Sequence, residues 1–162
     1  MAIGIIYYSR DNSTKTAAEI LAEKLKAETF ELIEKNKRKG IFGFLSGGFQ
    51  ASTGKSSKLV NAPWEEITEF DTLYLLTPLW AGKTTPAMNT FLDNADLSGK
   101  KVYIATVQAD PNFAGSSKAH EYLRGRVESK GGTAELCYAL HGSGPGKTAD
   151  TEYLRNQLQK IG

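Results

Sequence analysis

The sequence contains little of what many small specialised proteins depend on. Cys137 is the only cysteine among 162 residues, so neither an internal disulfide nor a cysteine metal cluster can form. The two histidines, His120 and His141, lack the spacing of a metal site, and no local motif indicates a Ser-His-Asp arrangement. We therefore predict no metal site and no catalytic protein residue.

Long apolar runs and a strong net charge are also missing. No stretch reaches the roughly 18 apolar residues of a membrane span, and the N-terminus lacks the features of a signal peptide. The net charge of +2 is too small to indicate nucleic acid as a partner. We expect a cytoplasmic protein with no membrane span and no nucleic-acid partner.

What the sequence does contain is an alternation of short apolar runs and helical patterns. Runs rich in Val, Ile, Leu and Tyr predict strands at 3–8, 29–33, 72–77, 101–107 and 134–140. Apolar stripes predict helices near 17–25, 88–95, 119–127 and 154–161, with a weaker signal at 63–69. The alternation predicts an α/β fold, a three-layer doubly wound sheet of five parallel strands. A chain of this length is expected to form one domain, residues 1–162.

The loop after the first strand, SRDNST at 9–14, is the first candidate site. In doubly wound sheets ligands bind beyond the carboxyl ends of the strands. A helix N-terminus has unpartnered N–H groups and partial positive charge, so it favours phosphate, and Ser9, Ser13 and Thr14 add hydroxyl donors. Asn12 tolerates the left-handed conformation of a tight loop. Plain N-capping by Asn12 or Ser13 is the alternative interpretation.

The familiar nucleotide motifs are absent. GSGPGKT at 142–148 has the composition of a P-loop, but its glycines and lysine have the wrong spacing and follow the last strand. The first turn also lacks the Gly-x-Gly-x-x-Gly pattern of dinucleotide-binding proteins.

Two segments together resemble the flavodoxin-like family. SRDNST is similar to the family's Ser/Thr-x-Thr-Gly-Asn-Thr phosphate loop, with matches at Ser9 and Thr14. LTPLWAGKTTPAMNTFLDN at 76–94 is similar to the family's second loop and the helix after it. The resemblance implies the strand order 2-1-3-4-5 and FMN as cofactor.

The resemblance also implies which residues bind the cofactor. The phosphate would lie on Ser9, Arg10, Asp11, Asn12, Ser13 and Thr14. One side of the flavin ring would meet Thr77, Pro78, Leu79, Trp80, Ala81, Gly82 and Lys83. The other side would meet Gln108, Asp110, Phe113 and Gly115.

Two of these residues raise specific questions. Asp11 stands where the family usually has Thr, and its charge would oppose a phosphate unless it points outward, caps the helix or pairs with Arg10. Lys83 would raise the two-electron potential if it lies near the ring edge, and this would favour hydride chemistry. A fully solvated Lys83 would have no such effect.

A third segment, RKGIFGFLSGGFQASTGKS at 38–56, looks like one found in a subgroup of bacterial and archaeal flavodoxin-like proteins. Its residues 42–49 combine apolar side chains with glycines. They predict either a lid over the sheet edge or an apolar patch for a partner or second subunit, so a homodimer is possible.

Three functions are compatible with the sequence. The first is an FMN-binding electron-transfer protein that serves a redox protein partner or a small-molecule acceptor. The second is an FMN-dependent NAD(P)H:quinone-type oxidoreductase. The third is a binding or regulatory module that has lost the flavin, because fold alone does not decide function.

Overall fold

The apolar runs of the sequence pair side by side in one parallel sheet. The computed structural model describes residues 2–36 and 55–162. The strand order is β2-β1-β3-β4-β5, and neighbouring strands are parallel. The strands are β1 (Ile3–Tyr7), β2 (Glu28–Glu31), β3 (Thr72–Pro78), β4 (Lys101–Gln108) and β5 (Thr133–His141). The predicted doubly wound sheet is confirmed, and the predicted strand ends differ from these by at most two residues.

Helices cover both faces of the sheet. The described ranges contain α1 (Ser13–Leu25), α2 (Pro86–Asn94), α3 (Ser116–Ser129) and α4 (Thr151–Leu158). The apolar stripes of α1 and α4 bury Leu21 and Leu154 against one face, and those of α2 and α3 bury Phe91 and Leu123 against the other. Full burial of such a side chain contributes about 1.5–3 kcal/mol. None of the helices in the described ranges is both long enough and apolar enough to cross a membrane.

The weak helix signal at 63–69 corresponds to a shorter element than predicted. Pro63–Glu65 forms a single turn of 3-10 helix, with Pro63 in its first turn. Phe70 N then donates to Ile67 O at 3.2 Å, and this turn directs the chain into β3. The apolar segment 42–49, for which a lid or partner patch was predicted, lies outside the described residues.

The strand order positions a crevice at the carboxyl ends of β1 and β3. Tyr7 at the end of β1 pairs with Glu31 of β2 on one side and with Leu76 of β3 on the other. The connections from β1 and β3 therefore leave toward opposite faces of the sheet. Their loops separate at this point, which is where ligands bind in folds of this kind.

The strands at the two edges of the sheet differ from regular edge strands: β2 is short and β5 is irregular. β2 has only four residues. Between Val102 and Ile104 of β4 lies one residue, but between their β5 partners Ala134 and Cys137 lie two. This extra residue makes a β-bulge, and Leu136 within it is 54% exposed.

Candidate functional site

A cleft of about 250 Å³ lies at the carboxyl ends of β1, β3 and β4. Most of the predicted site residues line it: Ser9, Arg10, Asp11, Ser13, Thr14, Pro78, Leu79, Trp80, Ala81, Gly82, Gln108 and Asp110. The lining does not include Asn12, Thr77, Lys83, Phe113 or Gly115. It does include residues that the sequence did not suggest: Val107, Ala109, Ala114, Ser143 and Pro145.

The loop between β1 and α1 presents an open helix N-terminus to the cleft. Asn12 adopts a φ of 66°, the left-handed conformation expected for it, and precedes α1 without a side-chain capping bond. The first N–H groups of a helix have no partner within the helix, so they suit an anion. Ser13 and Thr14, both buried, add their hydroxyls at this point.

Ser9 shows that this loop has unmet hydrogen-bonding capacity. Its Oγ is buried and has no hydrogen-bond partner among the described residues. A buried hydroxyl without a partner costs about 1–3 kcal/mol, so such a group in a cleft points to a missing polar ligand. The location beside an open helix N-terminus favours an anionic one.

The charge of Asp11 is offset within the same loop. Arg10 Nε lies 3.5 Å from Asp11 Oδ1, and the Arg10 side chain is only 8% exposed. The structure thus gives the arrangement in which Asp11 pairs with Arg10. A phosphate in the cleft would meet the pair rather than an isolated carboxylate, and the pair's net charge is zero.

The loop after β5 supports the β1–α1 loop from outside. Ala149 N donates to Ser13 Oγ at 2.9 Å, and Thr148 Oγ1 donates to the Asp11 carbonyl at 3.0 Å. Ser143 and Pro145 of the same segment line the cleft. The signal that can find this loop is its position after a parallel strand, because carboxyl ends share one edge of the sheet.

The connection from β3 to α2 begins with a tight turn. Trp80 and Lys83 exchange both backbone hydrogen bonds, with N···O distances of 2.8 and 3.0 Å. Ala81 and Gly82 between them have φ values of 50° and 71°, as in a type I′ turn. Thr77 lies beneath the turn, fully buried, with its Oγ1 3.1 Å from Thr85 Oγ1. Thr77 therefore supports the loop rather than lining the cleft.

Trp80 lines the cleft and packs against Tyr8, which does not line it. It is 6% exposed and meets the Tyr8 ring edge-on at a centroid distance of 5.6 Å. Tyr8 Oη donates to Glu34 Oε2 at 2.9 Å, and both residues are buried. The Glu34 carboxylate thus fixes the Tyr8 ring, and the Tyr8 ring in turn fixes the Trp80 indole in one wall of the cleft.

The loop after β4 forms the opposite wall. Gln108 Nε2 donates to the Ala114 carbonyl at 3.1 Å, while Gln108 Oε1 is buried without a partner among the described residues. The Asp110 carboxylate accepts from Asn112 N and Ala114 N at 2.9 and 3.0 Å, and these bonds lower the pKa of Asp110. The loop therefore offers the cleft one unused acceptor on a firmly folded backbone.

The two walls touch at a pair of glycines. A Cβ at Gly115 would lie 3.0 Å from Gly82 Cα, and both glycines have positive φ. On the other side of this contact lies a second cavity of about 400 Å³, which Lys83 lines. Phe113, with a φ of 55°, belongs to the turn that leads into Gly115.

A site with an anion-binding helix N-terminus, an aromatic wall and an unused acceptor suits a flat heterocycle that carries a phosphate. Residues 1–131 match the family model of NADPH-dependent FMN reductase. The chain belongs to this family. The predicted flavodoxin-like resemblance and FMN as cofactor are both confirmed, and the protein is an FMN-binding flavodoxin-like oxidoreductase.

Solved structures of flavin proteins share the fold of this FMN reductase family member. A protein from Bacteroides uniformis assigned as a flavoprotein is 20% identical, with a TM-score of 0.75 and 98% of each chain covered. A Lactobacillus acidophilus flavoprotein in complex with FMN is 18% identical, with a TM-score of 0.66, over 85% of this chain and 92% of the other. Fusobacterium nucleatum flavodoxin bound to FMN is 19% identical, with a TM-score of 0.55, over 99% and 96%.

No curated protein sequence matches this family member significantly.

Proposed function

We propose that the protein binds FMN in the cleft and uses NADPH to reduce it, so that electrons pass to a small-molecule acceptor such as a quinone. The observation that carries the proposal is that the open N-terminus of α1 lines the cleft together with Ser9, whose buried Oγ has no hydrogen-bond partner in the described part of the chain. The family model supports the choice of NADPH as the reductant. The lone cysteine fits a reducing compartment, so the cytoplasm is part of the proposal.

Each wall of the cleft has a separate role in this proposal. The N–H groups that begin α1, with the hydroxyls of Ser9, Ser13 and Thr14, hold the phosphate. Trp80 provides an aromatic wall whose orientation Tyr8 fixes. Pro78 and Leu79, which precede Trp80 in the chain, extend that wall, and the backbone at Gly82 can approach the ring edge.

The opposite wall orients the ring. Gln108 Oε1 accepts a hydrogen bond, and the imide N–H of a flavin is a donor of the required kind. When bound, FMN supplies the hydride-accepting and electron-donating chemistry, so no protein side chain has to act as acid, base or nucleophile. The protein's part is to bind, orient and limit the access of water.

The variant Ser9→Ala tests the site. Removing an unpartnered buried hydroxyl is neutral or stabilising for the flavin-free protein, whereas FMN affinity should fall about tenfold because the phosphate loses a donor. Riboflavin, which lacks the phosphate, should bind equally well to both proteins. Fluorescence titration of each flavin gives the two affinities.

Ser129→Ala is the matched control, because its hydroxyl donates to Arg126 O at the distant end of α3. It should leave both flavin affinities unchanged. Equal losses of FMN and riboflavin affinity in Ser9→Ala would contradict the phosphate role of Ser9.

Steady-state NADPH oxidation with a quinone then separates the reductase from a one-electron carrier. The reductase turns over with NADPH and quinone alone. A carrier binds FMN but does not oxidise NADPH without a partner enzyme. Absence of FMN binding would favour the flavin-free module instead.

A further inference from the structure

The second cavity adjoins the FMN cleft but differs from it in chemical character. Its volume is about 400 Å³, and it lies between the β3–α2 turn and the beginning of α3. Ala81 and Gly82 line both spaces, so the turn that carries them is a shared partition. A molecule that occupies the cavity is therefore a direct neighbour of one that occupies the cleft.

The charged residues that line the two spaces differ. Lys83 and Lys118 line the cavity, and among the described residues that line it none is an aspartate or glutamate. The cleft, in contrast, is lined by Arg10 together with Asp11 and Asp110, and it would also hold the phosphate of FMN. Once FMN is bound, its phosphate adds negative charge to the cleft, so a further anionic group near the flavin is attracted by the cavity instead.

The cavity also presents a fixed aromatic surface. Tyr122 lines it and is 40% exposed. Its Oη donates to Asn89 Oδ1 at 3.0 Å and accepts from Arg126 Nη1 at 2.7 Å. Arg126 is itself paired with Asp93 at 2.6 Å. These bonds hold the ring in place, so that a flat base can stack on it without first ordering the side chain.

An immobilised aromatic ring beside two lysines suits the base and a phosphate group of a nucleotide. We propose that this cavity binds the adenosine 2′-phosphate of NADPH, with the phosphate between Lys83 and Lys118 and the adenine against Tyr122. The inference rests on the proposed function, because it assigns a binding site to the reductant of that reaction. It also assigns Lys83 a role in the recognition of the reductant rather than in contact with the flavin.

The variant Lys118→Gln tests the inference in the FMN-loaded protein. The ratio of kcat/KM for NADPH to kcat/KM for NADH should fall about tenfold, because only NADPH carries the 2′-phosphate. Lys101→Gln is the matched control, since it removes one positive charge from the first residue of β4, at the end of the strand that lies away from the cleft. It should leave the ratio unchanged. Equal ratios in both variants would overturn the inference.

A binding measurement decides the inference without turnover. Titration calorimetry of the FMN-loaded protein should show adenosine 2′,5′-bisphosphate binding at least about tenfold more tightly than 5′-AMP. Lys118→Gln should abolish that preference, and Lys101→Gln should retain it. Wild-type protein that binds neither compound, or binds both equally, would overturn the inference. Failure to oxidise NADPH while FMN is bound would instead overturn the proposed function.

Discussion

Tyr8 links a buried hydrogen bond to one wall of the cleft. Its hydroxyl meets the buried Glu34 carboxylate at 2.9 Å, while its ring abuts Trp80. Neighbouring Tyr7 is equally buried, but its hydroxyl meets the more accessible Glu31 at 3.3 Å. The two tyrosines thus form a natural pair for comparison.

We expect Tyr8→Phe to lower the free energy of unfolding by about 1–3 kcal/mol, because a buried carboxylate loses a donor. Tyr7→Phe should cost less, because its bond is longer and water can replace it. Urea denaturation of the two variants measures both values. A loss in Tyr7→Phe as large as that in Tyr8→Phe would show that burial of the bonded carboxylate does not set the size of the loss.

At the same scale, sequence reasoning found the side chains with distinctive chemistry and missed their partners. Trp80 was expected beside the third strand because its motif is distinctive, and it lines the cleft. The hydrogen bond that holds Tyr8 behind it is made to Glu34, 26 residues away in the sequence. No local pattern encodes such a contact, since it follows from the lateral pairing of β1 and β2.

At the scale of elements, the contact between two loops gives the cleft its width. A Cβ at Gly115 would lie only 3.0 Å from Gly82 Cα, so this position leaves little room for a side chain. Gly99 also has positive φ, at 72°, but a Cβ there would meet nothing within 4 Å. Substitutions at Gly115 and Gly99 therefore distinguish the effect of backbone strain from the effect of the distance between the two loops.

Gly115→Ala and Gly99→Ala should each lose about 1–2 kcal/mol of stability from the left-handed backbone. Only Gly115→Ala should also weaken FMN binding, since its methyl group would push the β4–α3 loop away from the β3–α2 turn. Thermal denaturation and FMN titration of both variants provide the comparison. Equal FMN affinities in both would mean that the glycine contact does not set the cleft.

The strands and helices could be predicted because each produces a pattern within a short stretch of the sequence. An apolar run, then small polar residues, then a helical stripe predicts the β1–α1 unit, and this unit builds the anion-binding end of the cleft. The β3–α2 turn was less readable, since an alanine, Ala81, occupies a left-handed position that favours glycine or asparagine. The loop after β5 was overlooked as a wall because its composition suggested only a failed P-loop.

At the scale of the whole molecule, His120 couples the fold to pH. It lies on α3 with Nε2 2.8 Å from Thr106 Oγ1. Burial lowers the pKa of His120, and the charge of Arg124 lowers it further, whereas a hydrogen bond with the Tyr138 carbonyl acts in the opposite direction. The folded protein therefore favours neutral His120.

The sign of the effect follows from linkage. Below about pH 6.5, the ordinary pKa of histidine, the unfolded chain binds a proton that the folded protein resists. Stability should thus fall as the pH drops from 7 to 5. His120→Gln should flatten this slope, as measured by urea denaturation at both pH values. An unchanged slope would show that another group controls the effect.

The distribution of charge over the molecule follows from the fold and cannot be read from the net charge. A net charge of +2 says nothing about a cleft lined by two aspartates next to a cavity lined by two lysines. Asp11 and Lys83 seemed to belong to one site because both lie in loops after strands. The folded chain places Asp11 in the cleft and Lys83 in the cavity, with Ala81 and Gly82 lining both.

The edges of the sheet have a consequence for the protein at high concentration. A long, regular edge strand can pair with the edge of another molecule and start an aggregate. β5 is nine residues long and exposes Leu136, but its bulge interrupts the regular ladder that an incoming strand would need. β2 at the other edge is short and has a glutamate at each end. Restoring a regular β5, by deletion of one residue of the bulge, would create the kind of edge from which fibrils grow.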